Sequence, residues 1–353
     1  MTMLAAVASI SAWGQGAASP QKAFDGYFEC RTLAEHNTQD LIPSKESVDT
    51  LCYNLGVNNG LMLSGNGFFD SYGEINIFRF LTGLETAMEN GGPVNEYVID
   101  NEWAALFEIS PYEMNSIFKR YLAARQQDHG ISKAATDSTC YLLGVNCGIL
   151  IKQYEFFDSC DEINLTEILL GIEDGLKFGT PATGSEEDLE WASKFKSNPY
   201  QMVEIVNSFL TAKDHYKKEV NRLTEEYFLI INAKREGIKK TESGLQYIVR
   251  SQGEGDKPIA PDTVNVDYTC YLMDGTIIDE GQNMEFTLDK VIKGFQEGLG
   301  LIGKGGDMTI YVPHYLAYGE NGTNGVEPYS LIIFDIKLHD FTHEAAENDA
   351  ESE

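Results

Sequence analysis

The chain has 353 residues and a formal net charge of −29 at pH 7. The length predicts two or three domains, with ample chain for a buried core. The large negative charge repels phosphate backbones and anionic lipid headgroups, so it excludes nucleic acid as a partner and favours a soluble protein.

The first residues have the pattern of a targeting segment. Residues 4–13 are apolar and small residues follow them, which is typical of a secretory signal. The apolar run is too short to span a bilayer, and no membrane span is predicted elsewhere. We therefore predict a signal peptide over residues 1–18, export of the protein, and a polar leader over residues 19–43.

From Ser44 onward the chain repeats itself. Residues 44–124 match residues 132–212 without a gap, at an offset of 88, with 33 identical positions among 81. A gapless register of this length indicates one fold used twice. We predict two helical repeats, over residues 44–127 and residues 128–237.

Each copy is predicted to contain three helices. The first copy has Asp49–Leu63, Ile77–Met88 and a helix from Pro111, and the second has Asp137–Ile151, Leu165–Leu176 and a helix from Pro199. Asn76 and Asn164 are the predicted N-caps of the second helices. Gly56 and Gly60 lie inside the first helix, where glycine lowers helix stability, so they indicate a close helix crossing.

The last helix of the second copy is predicted to continue to about Glu236 and to end at Gly237. Its apolar residues recur every seven positions, at Met202, Phe209, Tyr216, Leu223 and Ile230. This stripe is consistent both with a coiled-coil seam and with a face that packs on the repeats, and core packing is the commoner use.

The C-terminal part changes to strand periodicity. Apolar and polar residues alternate from Val264 to Tyr268, and Asp274-Gly275 between two β-rich runs predicts a hairpin. Residues 289–301 break the alternation with apolar residues at helical spacing. We therefore predict an α+β protein, in which an antiparallel half-barrel sheet wrapped on one short helix, over residues 238–342, follows the helical repeats. An acidic tail over residues 343–353 is predicted to be disordered.

Five motifs follow one another in this C-terminal stretch, namely SGLQY, DGTIID, VIKGFQEGL, LAYGENG and SLIIFDIKL. In this order and spacing they resemble an FKBP-type peptidyl-prolyl cis-trans isomerase domain along nearly its whole length. The resemblance implies isomerisation of Xaa-Pro bonds in proline-containing unfolded or partly folded polypeptides. It implies no cofactor and no metal.

The resemblance also implies the site residues. The catalytic positions are Tyr268, Asp279, Ile292, Phe295 and Tyr318, and the substrate-binding positions are Ile278, Met284, Val291 and Phe334. Tyr268 is expected to form a wall, Phe295 the floor, and the backbone N–H of Ile292 to bind a substrate carbonyl. Asp279 is expected at the rim, where Tyr318 offers its hydroxyl. Ordinary core packing is the alternative for each aromatic side chain.

Four positions depart from the family pattern. Ile278 stands where the family usually has Phe, Met284 where another aromatic residue is common, and Phe295 where Trp is frequent. Glu327 replaces the first proline of the usual pair in the loop after Tyr318. The pocket is thus predicted to be apolar with less aromatic surface, which is consistent with reduced activity. A non-catalytic chaperone or binding protein with a degenerate pocket is the alternative function.

The cysteines and histidines predict no metal site. The six cysteines include no CxxC pair, and the six histidines lack an accompanying ligand set. Four of the cysteines could pair in an oxidising compartment, without an assignable connectivity. They are Cys30, Cys147, Cys160 and Cys270.

The helical region has a resemblance of its own. The pattern D-x-x-x-Y-x-L-G-x-x-x-G from Asp49 and the junction EEYFLIINAKREGIKKTESGLQY are similar to the macrophage infectivity potentiator group of bacterial isomerases. In that group one helical module per chain makes a V-shaped dimer, whereas this chain carries two modules. The resemblance implies a protein of the Gram-negative periplasm.

The duplication predicts how the modules pair. A tethered second copy has an effective concentration in the millimolar range, so it outcompetes a free subunit at about micromolar concentration. We therefore predict that the repeats pack on each other within one chain, with Asp49–Leu63 and Asp137–Ile151 at the centre of the contact, and that the protein is a monomer. A homodimer through the Met202–Ile230 stripe is the competing arrangement.

Overall fold

The structure, a computed structural model, describes residues 20–93, 99–127, 130–181 and 188–343. The predicted signal peptide and all but the first residue of the predicted acidic tail lie outside the described residues. The chain forms two compact units. The helical unit comprises residues 43–213, and the sheet unit combines the segment up to Ile42 with the segment from Asp214 onward.

Helices make up most of the described chain before the sheet begins. In chain order they are α1 (Pro20–Asn37), α2 (Lys45–Gly65), α3 (Ile77–Asn90), α4 (Asn101–Ala104), α5 (Met114–Gln126), α6 (Lys133–Gln153), α7 (Leu165–Phe178), α8 (Leu189–Ala192) and α9 (Met202–Asn232). Asn76 and Asn164 cap α3 and α7 as predicted. Their side-chain oxygens accept hydrogen bonds from first-turn backbone N–H groups at 3.2 Å and 3.4 Å.

The long helix α9 is shorter than predicted at both ends. A 3₁₀ turn at Pro199–Gln201 precedes it, and its last residue is Asn232 rather than Glu236. Beyond Asn232 the backbone N–H groups of Lys234 and Arg235 donate to carbonyls three residues earlier, at 3.0 Å each. The chain therefore tightens into a 3₁₀-type turn before Gly237, where φ is +84°.

In the helical unit, helices of the first copy cross helices of the second. α2 packs on α7, and α3 packs on α6. A Cβ added at Gly56 would overlap the carbonyl oxygen of Ile168, and one at Gly144 would overlap that of Phe80. Only glycine allows two helix backbones to approach this closely, so the glycines inside the predicted helices are explained by the crossings.

Polar contacts join the copies at positions that are 88 residues apart. Asn76 Nδ2 donates to Asp137 Oδ1 at 2.7 Å, and Asn164 Nδ2 donates to Asp49 Oδ1 at 2.7 Å. Each first helix packs chiefly on the second helix of the other copy, and both first helices contribute buried residues to the same core. The glycines produce this arrangement, because those of α2 face α7 and those of α6 face α3.

Helix α6 is the most apolar long helix of the described chain. It is long and apolar enough to cross a bilayer by length and composition, but 56% of that stretch is buried within the structure. Tyr141, Leu142 and Val145 on it are fully buried. Burial of this kind is typical of the core helix of a globular unit. All six cysteines are free, and Cys52 and Cys140 are fully buried, as expected for small apolar residues.

The sheet unit contains one antiparallel sheet. Its strands are β1 (Lys239–Lys240), β2 (Gln246–Ser251), β3 (Thr263–Leu272), β4 (Ile277–Thr287), β5 (Asp307–Val312) and β6 (Ile332–Thr342), in the order β1-β2-β5-β6-β3-β4. The predicted hairpin at Asp274-Gly275 joins β3 to β4. One helix, α10 (Lys293–Leu299), packs on the apolar face of this sheet, in contact with β5. The predicted α+β fold class is confirmed.

The other face of the sheet is also covered by helices. Tyr311 and Ile333 point to this face because Ile310 and Phe334, their chain neighbours, point to the core under α10. The buried residues of this second core come from α1, the end of α9, the sheet and its loops. They are Cys30, Ala34, Val220, Tyr227, Phe228, Met273, Tyr311, Leu331 and Ile333. The unit is therefore larger than the predicted domain of residues 238–342, and the predicted polar leader contains a packed helix.

Candidate functional site

Four aromatic rings meet on the α10 side of the sheet. They are Tyr268 on β3, Phe286 on β4, Phe295 on α10 and Phe334 on β6. The ring centroids of Phe295 and Phe334 lie 5.0 Å apart, those of Tyr268 and Phe286 5.5 Å, and those of Phe286 and Phe295 6.0 Å. The edge-to-face angles of 61° to 80° are those that aromatic pairs prefer.

Strand periodicity brings these rings together. Val264, Val266, Tyr268 and Cys270 alternate along β3 and are all buried. β6 lies beside β3 with Phe334 opposite Cys270. The fourth ring comes from α10, which packs on this face of the sheet. Its buried Phe295, near the start of the helix, completes the floor.

One polar pair stands at the edge of the aromatic cluster. The Tyr268 hydroxyl donates to Asp279 Oδ2 at 2.6 Å. Burial and this hydrogen bond both raise the pKa of Tyr268 well above its ordinary value, so the phenol remains a donor at neutral pH. The ring is buried while Asp279 is exposed, which places the carboxylate at the edge of the cluster.

Tyr318 lies close to the same pair. It is 37% exposed. Burial, then the neighbouring Cys270 and Asp279, raise the pKa of its hydroxyl, and Tyr318 in turn contributes to the raised pKa of Tyr268. Leu316 and Ala317, which precede Tyr318, pack against the core that contains Tyr268, Phe295 and Phe334.

The segment before α10 brings a backbone donor to the cluster. Val291 and Ile292 are half-buried and pack against the core. Ile292 is the N-cap of α10, with extended backbone angles φ −60° and ψ 149°. The N–H groups at the start of a helix have no intrahelical acceptor, so this position leaves the Ile292 N–H available to a ligand.

Two of the positions that depart from the family pattern, Ile278 and Met284, differ in their burial. Ile278 is half-buried and packs on the core. Met284 is 42% exposed, and its side chain lies near Gly281. The aromatic position that completes the cluster is instead Phe286, which the sequence prediction missed. Phe286 follows Met284 by two residues on β4, so strand alternation alone places both on one face.

A cavity lies on the opposite face of the sheet. Its volume is about 490 Å³, and its wall includes Arg250, Asp267, Asp335 and Lys337. These residues alternate along their strands with residues of the aromatic side. A wall of charged side chains does not suit a proline ring, so the aromatic cluster is the candidate site. No group of three His, Cys, Asp or Glu side chains that could hold a metal ion occurs in the described ranges.

Comparison with known families defines the class of protein. Residues 255–339 match the family FKBP-type peptidyl-prolyl cis-trans isomerase, and residues 136–249 match the domain amino terminal to FKBP-type peptidyl-prolyl isomerase. The second match begins within the second helical copy. The first copy, residues 44–124, lies outside both matches.

Individual proteins are similar to this chain. The FKBP-type peptidyl-prolyl cis-trans isomerase FkpA of Aeromonas hydrophila is 34% identical over 227 residues, which cover 62% of this chain and 81% of that protein. Outer membrane protein MIP of Legionella longbeachae is 31% identical over 219 residues, covering 58% of this chain and 89% of that protein. The crystal structure of FkpA from Escherichia coli has a TM-score of 0.48 and 28% identity, covering 60% of this chain and 99% of that one. The chain belongs to the FKBP-type peptidyl-prolyl cis-trans isomerases, and its predicted enzyme class is confirmed.

Proposed function

We propose that this isomerase acts in the aromatic cluster around Phe295 and assists the folding of exported, proline-containing proteins. The observation that carries the assignment of the site is the convergence of four rings with the Tyr268–Asp279 pair. Export is supported by the signal-like first residues, and by the similarity to a relative named as an outer membrane protein. The Gram-negative periplasm is the proposed compartment.

The chemistry requires no nucleophile. Rotation about a peptide bond faces a barrier of about 18–20 kcal/mol, because resonance gives the C–N bond partial double-bond character. Water favours the planar, charge-separated amide. A dry, apolar pocket that holds the proline ring and a twisted carbonyl therefore lowers the barrier. The Phe295 and Phe334 rings supply the apolar floor for the proline.

Polar groups at the rim hold the rest of the substrate. The Ile292 N–H donates to a substrate carbonyl beyond the proline, and the Tyr318 hydroxyl donates to a second carbonyl. Tyr268 is held by Asp279, so its ring forms a fixed wall. Each contact orients the peptide while the prolyl bond rotates, which is catalysis by positioning and desolvation.

Replacing Tyr318 with alanine is expected to lower kcat/KM for an Xaa-Pro peptide about tenfold, since one hydrogen bond contributes about 1–1.5 kcal/mol. The matched control is Tyr315→Ala, which removes an exposed tyrosine three residues away and should change kcat/KM less than twofold.

Ile278→Phe is expected to raise activity, because a larger apolar wall dries the pocket. If the wild type and Tyr318→Ala both match the uncatalysed rate, the domain binds proline segments without catalysis.

We also propose that the protein is a monomer. The crossings of α2 with α7 and of α3 with α6 already cover the apolar faces of both copies. Phe209, Tyr216 and Leu223 of the heptad stripe pack within their own units, which leaves less of the stripe for a coiled coil. Light scattering at micromolar concentration should give a mass near 39.3 kDa for the full chain. A mass near twice that value would contradict the tethered pairing.

A further inference from the structure

A buried carboxylate on α9 reaches the segment that carries Tyr318. Glu225 is 3% exposed, and its Oε1 accepts a hydrogen bond from the backbone N–H of His314 at 2.6 Å. Its Oε2 pairs with Nδ1 of the same histidine. A carboxylate is costly to bury without partners, so both oxygens hold His314 in one place.

His314 in turn fixes the backbone on both sides of Tyr318. Its carbonyl oxygen accepts hydrogen bonds from the N–H of Ala317 at 2.9 Å and from the N–H of Gly319 at 2.8 Å. These two residues flank Tyr318. The position of the Tyr318 hydroxyl therefore depends on His314, and through it on Glu225.

The far side of the same loop is attached to α9 as well. Asn221 Nδ2 donates to Glu327 Oε2 at 3.0 Å and to the carbonyl of Pro328 at 3.1 Å, and Lys217 pairs with Glu327 at 2.7 Å. Arg31 of α1 donates to Asn221 Oδ1 at 2.7 Å, which orients the amide so that its nitrogen faces the loop. Burial alone would raise the pKa of Glu327, but the bonds from Lys217 and Asn221 hold it below its ordinary value.

The two attachments meet at Tyr318. The N–H of Tyr329, two residues after Glu327, donates to the carbonyl of Gly319 at 3.2 Å. The Tyr329 ring lies 4.9 Å from the His314 ring, centroid to centroid. Residues 313–331, which we name the Tyr318 loop, are thus held on α9 at both ends.

We propose that Glu225 and Asn221 are positioning residues, through which α9 sets the Tyr318 loop over the pocket and so determines how tightly a proline peptide binds. The proposal rests on the proposed role of Tyr318 at the site. Glu327 carries one attachment in the place where the family usually has proline, and His314 carries the other. The attachment of the Tyr318 loop therefore depends on residues of α9 and on their hydrogen-bonding partners in the loop.

The test compares Glu225→Gln with Glu226→Gln in the full chain. Glu226 is the next residue of α9, but it pairs with Arg222 on the helix surface at 3.1 Å. Glutamine keeps the length of the side chain and removes its charge. Glu225→Gln is expected to raise KM for an Ala-Pro peptide about tenfold and to change kcat less than twofold, because loosening the loop weakens binding more than rotation. Glu226→Gln should leave both unchanged.

Amide hydrogen exchange of Gly319, without substrate, gives a readout that does not depend on catalysis. We expect it to become at least tenfold faster in Glu225→Gln and to stay unchanged in Glu226→Gln. If the wild type proves inactive, the proposed function fails, and the peptide Kd then replaces KM in the comparison. Unchanged exchange together with an unchanged KM or Kd in Glu225→Gln would overturn the positioning role.

If Glu225→Gln fails to fold, a pair of surface variants still tests the attachment of the loop. Lys217→Ala removes one of the two side chains that hold Glu327, whereas Lys218→Ala removes a lysine that pairs with Asp214 on the same helix at 2.8 Å. Lys217→Ala is expected to raise KM about twofold, and Lys218→Ala to leave it unchanged. An equal response of the two lysine variants would overturn the role of Lys217 in the second attachment.

Discussion

Replacing Gly56 with alanine is expected to destabilise the helical unit by about 2 kcal/mol. An added Cβ would overlap the carbonyl oxygen of Ile168 on α7, and backbone cannot move aside as a flexible side chain can. Overpacking of this kind costs about 3 kcal/mol, and the better helix propensity of alanine returns about 1 kcal/mol. The crossing of α2 and α7 therefore outweighs the local preference of the helix.

The matched control lies in the same helix. A Cβ at Gly65 would meet only Thr180 Cγ2 at 3.8 Å, which is an ordinary contact, so Gly65→Ala should be neutral or slightly stabilising. Trp103 and Trp191 are both buried in the helical unit. With Trp13 replaced by phenylalanine, tryptophan fluorescence during urea unfolding follows this unit alone. Equal midpoints for the two alanine variants would contradict the close crossing.

Local and periodic signals were predicted well from the sequence. The caps at Asn76 and Asn164 depend on the residue itself and on a backbone N–H three residues on, so one short stretch carries the information. The glycines at the crossings were also visible as costs inside otherwise apolar helices. What the pattern did not show was the partner, because several apolar helices offered similar faces. The sequence therefore predicted a contact between the copies that involves both first helices, but not that each of them packs on the second helix of the other copy.

Contacts between distant residues explain the misses. Helix α1 has a polar composition, and it is held by residues about 190 positions away, such as Asn221 for Arg31 and Tyr227 for Asn37. No local sequence pattern predicts such a helix. The hydrogen bond between Glu225 and the Tyr318 loop is also a contact between distant residues, since 89 residues separate Glu225 from His314.

The site shows the same division. Tyr268, Phe295 and Phe334 were expected from family motifs, and the structure brings their rings together. Phe286 was missed because the family pattern has its common aromatic residue at the position of Met284. Strand alternation places Met284 and Phe286 on one face of β4. The difference in their burial determines which of them joins the aromatic cluster. Phe286 packs against the core whereas Met284 is 42% exposed.

Replacing Asp279 with alanine is expected to lower kcat/KM about thirtyfold. The substitution leaves the hydroxyl of the buried Tyr268 without its acceptor and removes the charge at the rim. Hydrogen bonds to charged groups contribute about 1.5–3 kcal/mol, which corresponds to about tenfold to a hundredfold. Tyr268 then turns toward another acceptor, so the wall of the pocket loses its fixed position.

The control is Glu280→Ala, which removes the same charge one residue further along β4, beside the polar cavity on the opposite face. It should change kcat/KM less than twofold. Tyr268→Phe tests the partner, and the double variant Tyr268→Phe with Asp279→Ala should be no worse than Asp279→Ala alone, because both changes remove one interaction. Equal losses in Asp279→Ala and Glu280→Ala would instead indicate an effect of net charge on the highly acidic chain. Additive losses in the double variant would mean that Asp279 acts on the substrate independently of Tyr268.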